Sequence, residues 1–171
     1  MAGDDVFPDR DMSHRDKVVF MLEREGWALD AVPARTDIDP PLPTYAYTIG
    51  FEDRFAFSEV CLFGLTPVAC RGLFGLVADA LAGGTDLPVG PPFIGLLDGG
   101  QPCALLPVDP TASVALFPAL AEHHRLAGDA DDDFAMAQLA WPDPAGALPW
   151  EPHFSPRLAP VQLLLCEPPE A

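Results

Sequence analysis

Short apolar stretches alternate with polar, proline-rich interruptions along the whole chain. Ser13 stands in an N-cap position with Asp16 three residues on. Val18, Val19 and Leu22 follow at helical spacing, and Gly26 supplies a stop. That pattern predicts a helix over Ser13–Glu25. "WALDAV", Trp27–Val32, has the alternation of a half-buried strand. A proline-rich loop, Pro33–Pro43, leads to "TYAYTIGF", Thr44–Phe51, rich in β-formers. "EDRFAFS" predicts a turn and "EVCLFGL" the next strand. Thr66-Pro67 is an N-cap followed by proline at the first helical position. The helix it opens carries Ala69, Leu73, Leu76, Val77, Ala80 and Leu81 along one face, and Gly83-Gly84 end it. Gly72 and Gly75 each cost about 1 kcal/mol relative to alanine, which predicts close packing of this helix on a sheet.

The second half continues the pattern. Phe93–Leu97 and Cys103–Val108 flank Asp98-Gly99-Gly100, as in a hairpin. Asp109-Pro110 opens a helix that Pro118 interrupts and Gly128 ends. "DADDD", Asp129–Asp133, reads as an acidic turn, "FAMAQLAW" as a strand and "PVQLLLC" as a last strand. Strands joined by short turns must pair antiparallel. The expected fold is therefore α+β: a single domain with a mostly antiparallel sheet of about six strands and two to three packed helices. Residues 1–12 are expected to form a flexible acidic tail, 13–166 the domain and 167–171 a disordered tail.

Charge narrows the functional classes. Against 26 acids stand 9 bases, a net charge of −17. Such a surface repels phosphate backbones and anionic membranes, so neither nucleic acid nor a membrane is an expected partner. The same field favours solubility, and it suits a basic protein or peptide as ligand, as in inhibitors that neutralise cationic toxins. Cysteines at 61, 70, 103 and 166 are scattered, with no C-x-x-C pair. With an acidic, polar N-terminus in place of a leader, they fit a cytoplasmic protein.

The usual chemical motifs are missing. His123 and His124 are adjacent, so on a helix they point about 100° apart and cannot chelate one ion together. "GDADDDF" lacks the Gly and the distant Glu of a calcium loop. No G-x-S-x-G elbow surrounds a serine, and the Gly-rich "LDGGQP" lacks the strand–loop–helix context of a phosphate loop. No metal and no cofactor is expected. The tryptophans carry more. Trp141 and Trp150 each precede an acid within two residues, Asp143 and Glu151, between prolines that stiffen the loop. Trp beside a carboxylate can form a pocket for a cationic or flat ligand, or can simply lid the core.

"EREGWALDAV", "YAYTIGF", "VCLFGL", "AQLAWPD" and "LPWE" occur in an order and spacing that resemble the bacterial domain-of-unknown-function 4262 family. The resemblance covers about Val18–Leu165. It implies a shared fold and functional surface, and no reaction. Carried over by position are Gly26, Trp27, Tyr47, Thr48, Ile49, Gly50, Glu59, Gly64, Gln138, Trp141, Pro142, Asp143, Pro149 and Trp150. Where members read G-H-P-E-L this chain reads "AFSEV", Ala56–Val60; the family histidine is absent and Glu59 remains.

These observations point to a binding or accessory module, with Tyr47, Thr48, Glu59, Gln138, Trp141, Asp143 and Trp150 as candidate binding residues around one groove. The alternative is an enzyme acting on a small molecule, with Glu59 or Asp143 as the acid–base group. Monomer and homodimer both remain open, and the chain does not decide whether it is an enzyme.

Overall fold

The computed structural model describes residues 13–128, 134–167 and 169. The expected tail over 1–12, the acidic turn over 129–133 and most of the tail over 167–171 lie outside the described residues. Helix α1 spans His14–Glu25. Its Ser13 cap accepts a hydrogen bond from the Asp16 N–H, and Gly26 closes it with φ +80°. Strands β1 (Ala28–Val32) and β2 (Tyr45–Ile49) pair antiparallel. A short helix α2 (Phe51–Phe55) leads to β3 (Glu59–Phe63), and then α3 (Pro67–Ala82) begins on the Thr66 cap. After β4 (Ala104–Val108) come α4 (Pro110–Ser113), a 3₁₀ turn over Val114–Leu116, α5 (Pro118–Leu126) and β5 (Met136–Ala140). The break at Pro118 is where a ring without an N–H interrupts a helix.

The sheet runs β1-β2-β3-β5-β4, antiparallel at every pair except β3 with β5. One α+β, mostly antiparallel sheet is thus what the pattern predicted, with five strands. The last strand to be made sits between two that precede it. Helix α3 covers one face, where Val60, Leu62, Leu105 and Leu139 meet Cys70, Phe74 and Val77. Helices α1 and α5 cover the other, against Tyr45, Tyr47, Ile49, Cys61 and Phe63. With both faces covered, β2, β3 and β5 are buried at all five positions, which is why their sequences read as apolar runs. Among the described residues no helix is long and apolar enough to cross a membrane.

Four local expectations change. "EDRFAFS" contains α2 rather than only a turn. The expected hairpin shrinks to a single bridge, Phe93 with Cys103, because a 3₁₀ turn occupies Asp98–Gly100 and separates the arms. "PVQLLLC" forms no strand: its backbone bonds the Leu158 carbonyl and the Gln138 side chain rather than a ladder. On α3 the buried stripe is Cys70, Phe74, Val77 and Ala78, and Leu76 is 41% exposed. Gly72 and Gly75 therefore do not pack on the sheet; a methyl group at either would meet nothing within 4 Å.

Candidate functional site

The candidate residues separate toward opposite ends of the sheet. Glu59 and Met136 pair at one end of β3 and β5. Glu59 is 1% exposed. Its Oε2 accepts from the Thr48 hydroxyl at 2.6 Å, and its Oε1 accepts from the N–H groups of Gly50 at 2.9 Å and Glu52 at 3.2 Å. Thr48 Oγ1 in turn accepts from the Val60 N–H at 2.9 Å. Helix α2 begins at Gly50, which has no capping side chain. A Cβ there would approach the Leu22 side chain to 2.8 Å and the Gly26 carbonyl to 2.9 Å, so only glycine fits. Glu59 supplies the missing acceptor from a neighbouring strand, and so caps a helix from outside it. Burial pushes its carboxyl up to about 8, against the three donors that pull it down.

Ala56 closes α2 with φ 51° and ψ 39°, the left-handed conformation that glycine adopts without strain. It stands where the family pattern has glycine. Phe57, in the place of the family histidine, packs against the α3-side core.

Tyr47 lies in the middle of the sheet and is wholly buried. Its hydroxyl donates to Asp30 across the β1–β2 pair and accepts from the Ala119 N–H at 3.1 Å. Burial, with the Asp30 charge, holds the phenol far above its ordinary range, so it stays neutral. Tyr47 ties α5 to the sheet. Gln138 is equally enclosed: its amide donates to the Leu163 carbonyl, and its oxygen accepts from the Leu165 N–H at 2.8 Å. Gln162 repeats the arrangement around Trp141, accepting from its N–H at 2.8 Å and donating to its carbonyl at 3.0 Å. Two carboxamides thus hold the C-terminal segment in place.

At the other end, Trp141 follows β5. Its indole N–H donates to the Phe63 carbonyl at 2.8 Å. Gly64, next in the chain, has φ +88°, and a Cβ on it would stand 2.7 Å from the Val161 carbonyl. Asp143 organises the loop that follows. Its Oδ1 accepts from Ala145 and Ala147 N–H groups at 3.0 and 2.9 Å, and its Oδ2 from Ser155 at 2.9 Å. Donation from Ala147, then from Ser155, Ala145 and Gly146, outweighs desolvation and lowers its carboxyl below the usual range. Trp150 is half-buried and packs with Leu164 and Cys166 on Ala104, Leu106 and Ala140.

An open cleft of about 490 Å³ lies beside Trp141. Leu65 and Leu73 line it from the α3 side, Leu97 and Gln101 from the loop before β4, and Pro142, Asp143, Pro144 and Leu158 from the C-terminal loops. Of the candidate residues, this cleft brings together Trp141 and Asp143. It does not include Tyr47, Thr48, Glu59, Gln138 or Trp150. Leu65, Leu73, Leu97, Gln101 and Leu158 were not read as site residues, since only the folded chain joins them; Leu65, Leu73 and Leu97 carried a signal only as parts of apolar elements.

The remaining chemistry is quiet. His123 and His124 link α5 to α2 through Asp53 and Glu52, each at 3.5 Å. Among the described residues no group of three His, Cys, Asp or Glu could hold a metal ion. All four cysteines are free. Burial raises the Cys70 and Cys103 thiols to about 11 and Cys61 further still, so none offers a thiolate near neutral pH.

No curated protein and no solved structure matches the chain. A family model does: "Domain of unknown function (DUF4262)", over residues 21–155. That span contains α2 with its borrowed cap, the whole sheet and most of the Asp143 loop. The chain belongs to the DUF4262 family.

Proposed function

We propose that the protein works by binding, and that the cleft beside Trp141 takes an apolar side chain of a basic protein or peptide. The observation that carries this reading is the cleft itself: about 490 Å³, walled by leucines, prolines and an indole, with no lysine or arginine among its lining residues. Apolar walls with a few polar groups are the common lining of a ligand site. The net charge of −17 supplies long-range attraction for a cationic partner and speeds its approach. Four free cysteines suit a reducing compartment such as the cytoplasm.

The small-molecule enzyme has less support. Glu59 has the raised pKa of a general acid, but it is enclosed and its oxygens already accept three hydrogen bonds. Asp143 lines the cleft, yet its oxygens are taken up by the backbone of its own loop. Neither carboxylate is poised to exchange a proton with a substrate.

The test is calorimetric titration with two end-capped octapeptides, one with arginines around a central leucine and one with glutamates in their place. The arginine peptide is expected to bind, more weakly at higher salt, and Leu158→Arg is expected to reduce that binding. Equal behaviour of the two peptides, or indifference to Leu158→Arg, would overturn the reading.

A further inference from the structure

Gln101 is the polar side chain of the cleft whose acceptor is unused. Its Oε1 is buried and has no hydrogen-bond partner. Its backbone N–H bonds weakly to the Asp98 carbonyl at 3.4 Å, so the residue closes the 3₁₀ turn while its side chain reaches the cleft wall. There it meets the Asp143 loop: a Cβ on Gly146 would stand 3.0 Å from Oε1. Gly146 has φ +89° and donates its N–H to the Asp143 carbonyl at 2.9 Å. The loop that Asp143 holds thus leaves room for this carboxamide and offers it no donor.

A buried acceptor without a donor costs about 1–3 kcal/mol, and such groups in folded proteins call for a reason. The terminal torsion of glutamine is broad and close to two-fold, so a small rotation turns the oxygen toward an arriving donor. Around it the cleft is apolar: Leu73, Trp141 and Leu158 can hold a side chain but cannot donate to Oε1. The indole N–H of Trp141 is already committed to Phe63.

We propose that Gln101 is the specificity-determining acceptor of this cleft, receiving a backbone amide N–H from an extended basic peptide whose adjacent apolar side chain lies against Trp141, Leu73 and Leu158. This rests on the binding reading and adds to it. Charge selects the approach of the ligand, and Gln101 sets its register. An amide N–H one bond from an apolar group is chemistry that every peptide carries, and that hydrocarbons, tertiary amides and esters lack.

The test uses two probes that differ in that one hydrogen, N-methyl-3-phenylpropanamide and N,N-dimethyl-3-phenylpropanamide. Each is titrated into the full chain while the Trp141 indole and Gln101 side-chain signals are followed by two-dimensional ¹H–¹⁵N spectroscopy. The secondary amide is expected to bind about three- to tenfold more tightly, the worth of one net hydrogen bond. In Gln101→Met the two probes should bind alike, with the tertiary amide unchanged from the native chain. Because that variant replaces a carboxamide whose buried oxygen has no partner by a side chain of similar length, its native spectrum and melting temperature should be retained. If it fails to fold, the native chain decides by the Gln101 amide signals, which must move with the secondary amide and not with the tertiary one. Equal binding to the native chain, absence of shifts at Trp141, or a preference that survives in Gln101→Met overturns the proposal. Should the probes fail while the arginine peptide still binds, the binding reading stands without this one. Should the amide preference hold while that peptide fails, the site stands and the basic partner falls.

Discussion

Glu59 and Asp143 are both carboxylates covered by protein, 1% and 5% exposed, toward opposite ends of one sheet. Each accepts three hydrogen bonds from nearby donors. Yet Glu59 is pushed up to about 8 and Asp143 is drawn below its ordinary range. The difference lies in depth. Glu59 begins a strand covered on both faces, where removal from water dominates. Asp143 sits under a thin loop of its own making, where donation dominates. The number of hydrogen bonds alone does not fix the character of a buried acid; the surroundings from which water has been removed do. The two ends of the molecule differ likewise: at one Glu59 is fully enclosed, at the other a cleft opens beside Asp143.

The largest break in this comparison is expected at the open end. Trp141→Ala deletes an indole that packs, donates to Phe63 and walls the cleft. It should cost about 3–5 kcal/mol in chemical denaturation. Glu59→Ala should cost less, about 2–4 kcal/mol, by leaving the Thr48 hydroxyl and two α2 N–H groups without an acceptor. A cost for Glu59→Ala near zero would mean that water reaches α2 and that the closed end is not closed.

Acidity sharpens the contrast further. The Glu59 carboxyl is raised above its ordinary 4.5 by folding. The folded state then holds a proton that the unfolded chain releases. Its contribution is fully present below that ordinary value and is lost as pH rises through about 8. The Asp143 carboxyl is lowered by folding, so its contribution is present above the ordinary 3.8 and is lost as pH falls toward the lowered value. Hydrogen exchange should therefore show residues 50–52 loosening on the alkaline side and residues 143–155 on the acid side. Glu59→Gln should flatten the alkaline limb alone. A limb that persists in that variant would assign it to another group.

How far the chain announced all this can be seen residue by residue. Ser13 with Gly26, and Thr66 with Pro67, marked their helices because capping is local chemistry. Helix α2 was not legible, since its cap comes from Glu59, beyond the helix and on another element. "PVQLLLC" imitates a strand in composition, but the Gln138 side chain takes up the Leu163 carbonyl and the Leu165 N–H, and side-chain partners leave no periodic signature. The family pattern carried Trp141 and Asp143, and the fold sets both beside one cleft. It grouped them with Glu59, which the sheet holds away from that cleft. Gln101 had no signal at all: a glutamine before proline in a glycine-rich turn looks like any surface residue.

Two smaller effects give controls that leave both ends intact. Gly72→Ala on the outward face of α3 meets open space in a helix interior and should stabilise by about 1 kcal/mol. Such a host would tolerate the damaging changes above, so that both ends can be disrupted in a folded chain. Ala56→Gly should stabilise by about 0.5–1 kcal/mol, by relieving the left-handed backbone at the end of α2. A melting temperature unmoved by Ala56→Gly would place the strain elsewhere.

The position of β5 has a consequence for how the chain comes into being. Among the described residues, β4 finds its sheet partner in β5, and β3 offers its second edge to β5. Until residues 136–140 have left the ribosome, β3 lacks its second neighbour and β4 its sheet partner among the described residues. Completing the sheet is then a single late insertion, parallel on one side and antiparallel on the other. A chaperone attending this protein would have that edge to guard, and would be released when β5 arrives.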